Sequence, residues 1–419
     1  MLGFLQKLSE IRSLDRAPAY AIAEKASERL LFVVKSASTT SFYSELLKER
    51  PIAGIEDLRE FPLTEKAAVR GNPNLFLSRG SGMHLPSVTT SGSSGIPTRV
   101  YLDREAIDYR NALIFFIGET YGARPFDLYL RIDSASPSTG LRPSSIFGLY
   151  PSIAMSALCS EQAIYENMRR RNARIVSCYP SVAELLARLN SADSRPHRLK
   201  FFVGGGEMLS ERARHAISES FRCPVYDYYG CWEFGTMATM CPEEGTLHVN
   251  GSVILETVDG KGRPVSGTGE IVATSLVNRA MPLLRYSLGD IGSLGSGCPC
   301  GRTSRTLKRL EGRSDDLIVL PSGRIRSPWS FNVVGLDAVK DSVSSFRIVQ
   351  KSEELFVFQY VPASGALTEP MLASIGKRIM DAALGEPVRV EFEECASLPR
   401  DRGGKLRRVI SEVRRPKGT

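Results

Sequence analysis

Three groups of residues in this 419-residue chain have the types and spacing to do chemistry. The first is Thr89, Thr90, Ser91, Gly92, Ser93, Ser94 and Gly95, which packs five hydroxyls and two glycines into one short run. Hydroxyls and bare backbone N–H groups donate to phosphate oxygens, and glycine lets the backbone approach closely. A flexible Ser/Gly linker would share that composition. Strand-like residues Leu85–Val88 and Thr98–Leu102 flank the run, so a hairpin loop fits better than a linker. No Gly-Lys-Ser/Thr is present, so this is not a Walker loop. The second group is Cys241, His248, Cys298 and Cys300, three thiols and one imidazole from two segments. Such a set suits closed, tetrahedral, structural zinc, and Gly297 and Gly301 flank the Cys-x-Cys pair as a tight knuckle requires. The spacing is not that of a zinc finger, and four unrelated residues or a Cys298/Cys300 redox pair are the alternatives. The third is Pro399–Lys405, where Gly403 and Gly404 permit a tight turn that presents Lys405. A solvated basic tail is its ordinary alternative.

The elements around these groups alternate. Ala173–Tyr179 reads as a strand closed by Pro180, and Ser181 with Glu184 forms a capping-box pattern ahead of Val182, Leu185, Leu186 and Leu189. Lys200–Val203 reads as a second strand ending in Gly204, Gly205 and Gly206. A helix over Ser210–Ser220 and a third strand over Pro224–Tyr229 follow. Strand–helix–strand order implies right-handed crossovers and a parallel sheet, whose ligands sit beyond the carboxyl ends of the strands. Two such ends are Gly204–Glu207 and Tyr229–Glu233. Beyond Gly312 the pattern becomes β-β-α-β: Ser345–Gln350, Leu355–Val361, Met371–Leu384 and Val388–Phe392, a small α+β domain of its own. The expected division is residues 1–312 and 313–419.

Length and composition set outer limits. Hydrophobic residues make up 42% and charged residues 24%, ordinary for a globular chain of two or three domains. The net charge is +8, which invites a nucleic-acid or anionic-membrane partner. Its distribution argues otherwise, because Arg400–Lys417 alone holds eight basic residues against Asp401 and Glu412. No nucleic-acid module, membrane span or signal-peptide pattern is present. Eight cysteines in so long a chain do not resemble a secreted disulfide framework, so a cytoplasmic protein is expected. His84, His197 and His215 lack triad or metal spacing, and no Gly-x-Ser-x-Gly elbow occurs.

The Thr89–Gly95 loop resembles the phosphate loop of the adenylate-forming superfamily, and further matches follow in order. Tyr229-Gly-Cys-Trp-Glu233 resembles that family's Tyr-Gly-x-x-Glu segment, and Met281–Asp290 its segment ending in Gly-Asp. Gly312–Asp316 resembles the Gly-Arg-x-Asp hinge, and Pro399–Lys405 the terminal lysine motif. The cysteines, Phe61–Lys66 and Tyr179-Pro-Ser point to the phenylacetate–CoA ligase and capsule-cluster branch. The resemblance implies an α/β fold, with a large N-terminal adenylation domain of parallel sheets and helices and a small mobile α+β lid.

The resemblance also assigns roles. Lys405 and Glu233 would be catalytic, with Glu233 holding Mg²⁺. Thr89–Gly95, Gly205, Gly206, Glu207, Asp227, Tyr228, Tyr229, Gly230, Asp290 and Arg313 would bind ATP or AMP. Within that set Tyr229 would lie by adenine, Gly205, Gly206 and Glu207 at the adenine edge, and Asp290 on the ribose. Asp315 would be the hinge, and Cys241, His248, Cys298 and Cys300 would hold structural Zn²⁺. The implied reaction is ATP-dependent adenylation of a carboxylic acid, expected to be aromatic, then transfer to CoA or a carrier protein's phosphopantetheine. Transfer of AMP to a cofactor hydroxyl without a thioester is the alternative, and a homodimer is left open. Trp232 departs from the pattern, standing where most members have Ser or Thr against the phosphate. An indole accepts no hydrogen bond, so the departure bears on the acid pocket more than on adenylation.

Overall fold

The computed structural model describes residues 2–81, 84–89, 98–133, 142–146, 150–313, 316–326, 328, 330–331, 342–363, 367–401 and 404–413, with backbone alone for 142–146 and 309. Thr90–Gly95, Asp315 and Gly403 among the sequence candidates therefore lie outside the described residues. Ser87–Thr89 does pair antiparallel with Arg99–Tyr101, with Thr89 opposite Arg99, so the Ser/Thr/Gly run connects two strands of a hairpin.

A twelve-stranded sheet dominates the chain up to Arg313. One half is parallel: Val225–Cys231, Phe201–Gly205, Ile175–Cys178, Tyr129–Asp133 and Tyr150–Ser156 lie side by side. These strands are rich in β-branched and aromatic residues, and crossover helices cover one face. The helices Glu161–Arg170, Pro180–Ala192 and Glu211–Phe221 bury Ile164, Leu186 and Ile217 against Phe202 and Val176. Each such side chain contributes about 1.5–3 kcal/mol by leaving water. Ser160 and Ser210 start the first and third of these helices by accepting the N–H groups of Ala163 and Ala213.

The middle helix corrects the sequence reading. Ser181 is not its cap: Pro180 takes the first helical position, with Tyr179 before it. Proline's fixed φ suits that position and its missing N–H would be unpaired there anyway. Ser181 and Glu184, freed from the expected capping box, face other partners described below.

The other half of the sheet is a second correction. From Val225–Cys231 onward the strands Gly235–Met240, Leu247–Val249, Arg305–Arg313, Tyr286–Ser296, Thr268–Ser275 and Val253–Val258 run antiparallel. The sheet is therefore mixed, because tight turns such as Cys241–Thr246 return the chain with no helix to cross over.

The C-terminal sheet has four strands, one more than expected. Val343–Gln350 and Leu355–Pro362 form an antiparallel pair. Arg389–Glu394 and Val409–Ser411 add in parallel on either side. The helix Glu369–Ala382 covers them with Ile375 and Ile379. No helix among the described residues is long and apolar enough to cross a membrane.

Candidate adenylate-forming site

The parallel strands end where glycine is obligatory. The Tyr228 ring lies so close over Gly205 that a Cβ there would stand 2.3 Å from ring carbons. Gly206 follows with φ +76°, a conformation that L side chains rarely adopt. A Cβ on it would stand 3.3 Å from Cε of Lys405. The lysine thus comes from the C-terminal segment to rest on the strand end, its Nζ 5.6 Å from the Tyr179 ring centre. Lys405 and Gly206 are 199 positions apart, and the fold brings them together.

Two carboxylates define the wall beside this strand end. Tyr229 is buried and its hydroxyl donates to Asp290 at 2.8 Å. Asp290 stands directly across the ladder from Arg313, so register alone joins two of the sequence candidates. Burial raises the Asp290 carboxyl above its usual range, while the Tyr229 hydroxyl and the charges of Arg313, Lys66 and Lys405 oppose that. Glu233 is only 3% exposed. Burial would raise it, but the Lys66 ammonium at 3.0 Å, together with a backbone N–H and the Cys231 thiol, holds the group below the usual carboxylate value. Tyr286 donates to the same oxygen at 3.1 Å.

Lys66, Tyr286 and Arg110 make contacts to Glu233 that the sequence did not assign. The Phe61–Lys66 segment is stitched to the sheet by Thr64, whose N–H donates to Arg285 O at 2.9 Å and whose carbonyl accepts from Ser287 N at 3.0 Å. That fixes Lys66 against Glu233. Arg110 donates to Glu233 O at 2.6 Å and to Trp232 O at 3.3 Å, pinning the turn that carries both. Phe61–Lys66 was a visible motif, but nothing in it names Glu233 as the partner.

The remaining candidates sort clearly. Asp227 accepts from the Tyr228 N–H at 2.9 Å, and burial lifts its carboxyl to about 7 against the nearby Arg214. Thr89 is exposed at the end of its short strand, and Gly230 lies against Gly235 of the neighbouring strand with no room for a side chain. Glu207 aims its carboxylate at Ser181 and at Leu406, with N–H···O distances of 3.0 and 2.7 Å. Burial pushes this carboxyl up, partly offset by those donors.

A separate cluster lies at the far end of the antiparallel half. The metal-ligating atoms of Cys241, His248, Cys298 and Cys300 all lie within 4.8 Å of one another. Bonds of about 2.3 Å to sulfur and 2.0 Å to nitrogen give tetrahedral edges of about 3.5–3.8 Å; Cys300 Sγ and His248 Nε2, at 3.4 Å, already stand near that spacing, and a small closure of the others would seat zinc. Local structure converges the ligands: Cys241 N donates to Thr246 O at 2.7 Å, folding the loop back so that His248 can meet Cys241. Gly297 and Gly301, at φ +79° and +85°, turn the Cys298–Cys300 knuckle. Ser304 Oγ lies 2.9 Å from His248 Nδ1, leaving Nε2 for a metal. The Arg302 guanidinium lies 3.7 Å from Cys300 Sγ, balancing thiolate charge, and also binds Asp15 of the first helix at 2.9 Å.

No family model matches the chain. It is 25% identical over 444 residues to a phenylacetate–coenzyme A ligase of Thermus thermophilus, covering 96% of this chain and 98% of the relative. It is 21% identical to protein CapK of Staphylococcus aureus, covering 90% of this chain and 86% of the relative. Among solved structures, a 2-hydroxyisobutyryl-CoA ligase in the postadenylation state superposes with a TM-score of 0.75, at 20% identity. That match covers 96% of this chain and 92% of the other. With the ordered motifs, the shared fold and near full-length matches together, the chain is similar over almost its whole length to the phenylacetate–CoA ligases and CapK, and it shares the fold of the acyl-CoA ligases.

Proposed function

We propose that this protein joins a carboxylic acid to the thiol of CoA by way of an acyl-adenylate. The observation that carries the reading is Lys405, delivered from the C-terminal segment onto Gly206 and close enough to act on Asp290. In the first half-reaction a carboxylate oxygen attacks the α-phosphorus of ATP, and the bond to pyrophosphate breaks. The Lys405 ammonium stabilises the charge on the oxygens in flight. Asp290 and Arg313 hold the ribose side. Glu233, kept ionised by Lys66, would be the one protein carboxylate on a Mg²⁺ otherwise held by phosphates and water, which suits that ion's preferences. The magnesium would neutralise phosphate charge. In the second half-reaction the thiolate attacks the acyl carbon and AMP leaves. The small C-terminal domain, the portion of the chain beyond Arg313, would turn about Asp315 between the two steps.

The test is acid-dependent exchange of labelled pyrophosphate into ATP, with thioester formation followed separately by CoA consumption. Exchange without a thioester would leave adenylyl transfer to another nucleophile as the activity. No exchange with any acid would end the reading.

An aromatic acid is the class we favour, and the sheet face below Gly205 supports it. Tyr226 stacks on Tyr121 with ring centres 3.8 Å apart, and Phe201 packs beside them. Register places Arg131 level with Ser177, Ser177 with Val203, and Val203 with Tyr226, all on one face. Arg131, about half exposed, pairs with Asp133 at 3.0 Å and acts electrostatically on the half-buried Tyr228. This face thus carries aromatic rings packed together beneath Gly205, with Arg131 at its exposed edge. Acids with a polar ring substituent should exchange faster than unsubstituted ones. Arg131→Leu should erase that preference by about tenfold, the worth of one hydrogen bond to a charged group; a panel of hydroxylated and plain aryl acids measures it. Proposed zinc at the Cys₃His cluster is structural, with four protein ligands and no open position.

A further inference from the structure

We infer that Glu207 is a positioning residue that sets the register of the C-terminal segment for adenylation, with Glu184 as its second anchor. The inference rests on the two-half-reaction reading above. Glu207 Oε1 accepts the Leu406 N–H at 2.7 Å and the Ser181 hydroxyl at 3.1 Å, while Oε2 accepts the Ser181 N–H at 3.0 Å. One carboxylate therefore ties the first turn of the Pro180–Ala192 helix to the residue next to Lys405. Arg400 donates to the Ser181 hydroxyl and to Gly404 O, both at 2.9 Å, closing the loop around the same point. One helical turn further on, Glu184 pairs with Arg408. Gly404, at φ +81°, lies so close to Ala157 that a Cβ would stand 2.8 Å from the alanine methyl.

The geometry has a direction built into it. Glu207 follows Gly206, the residue on which the Lys405 methylenes rest. Holding the Leu406 N–H at 207 fixes the backbone immediately after Lys405, and so aims the ammonium along the strand end. When the segment leaves, Glu207 keeps both Ser181 donors and loses only the Leu406 bond. Its carboxylate stays satisfied in either posture, so the bond favours the adenylation posture without trapping it.

Glu207→Gln leaves one carbonyl oxygen to serve three donors and turns an NH₂ group toward one of them. The variant should slow acid-dependent pyrophosphate exchange by about ten- to a hundredfold, the loss of one charge-assisted hydrogen bond. Thioester formation from supplied acyl-AMP and CoA should fall far less, because that step does not use the register. The probe is the acyl-AMP of whichever acid the wild type exchanges fastest. Glu184→Gln, which leaves Ser181 and Glu207 untouched, should split the two half-reactions in the same direction and serves if Glu207→Gln does not fold. Equal losses in both half-reactions, or a raised KM for ATP at unchanged kcat, would make Glu207 a pocket or nucleotide residue and overturn the inference. A wild type silent in exchange would overturn the functional reading itself.

Discussion

Replacing Lys405 with alanine should leave a folded protein that exchanges pyrophosphate at least about a hundredfold more slowly. Loss of a single preorganised donor at a developing oxyanion typically costs about 10²–10³ in rate, or roughly 3–4 kcal/mol. The ammonium is positioned for that effect, since its methylenes lie on Gly206 and its charge already acts on Asp290. The fold should survive, because the side chain fills no core: its contacts are a glycine surface and one face of Tyr179. Arginine should not rescue. A planar guanidinium is wider than the methylene stem for which a bare glycine makes room. Exchange and the thermal midpoint, measured on the same preparation, settle the matter. An unchanged midpoint with unchanged exchange would remove Lys405 from the chemistry.

The second large effect concerns zinc. Protein purified without chelator should carry close to one equivalent, and less than about 0.2 would reject the site. Cys300→Ser should lose the metal and lower the thermal midpoint by roughly 10 °C, since structural zinc contributes several kcal/mol of folding free energy in a chain of this size. The loss should spread beyond the knuckle. Arg302 lies against two of the thiols and also binds Asp15, so a slack cluster loosens the first helix from the sheet. Metal analysis by mass spectrometry and a melting curve read the two halves of the prediction. Retention of metal by Cys300→Ser would move the site elsewhere.

Much of this was legible in the sequence because local chemistry dictated it. The parallel strands and their helices announce themselves through Gly204–Gly206, Ser210 and Pro224. The cysteine cluster follows from two short segments, and the C-terminal sheet from alternating apolar residues. What stayed hidden depends on distant pairing. Asp290 and Arg313 meet through register, and register between long antiparallel strands is set by the whole sheet. Lys66 reaches Glu233 because Thr64 is bonded to a strand more than two hundred residues away. Ser181 looked like a cap because its neighbours obey the capping-box pattern. Proline one position earlier moved the helix start and released both polar residues to other partners. The fourth C-terminal strand, Val409–Ser411, is short and follows two arginines, so its apolar signal is diluted.

Arg313 is the final residue of its strand and is held in the large sheet opposite Asp290. Any pivot beyond it swings the C-terminal portion without pulling on the pair that would grip the ribose. A reactive acyl-adenylate would therefore remain seated while Lys405 withdraws and the thiol arrives. In an enzyme working this way, leakage of the activated intermediate into water is limited by an anchor that belongs to the frame and not to the door.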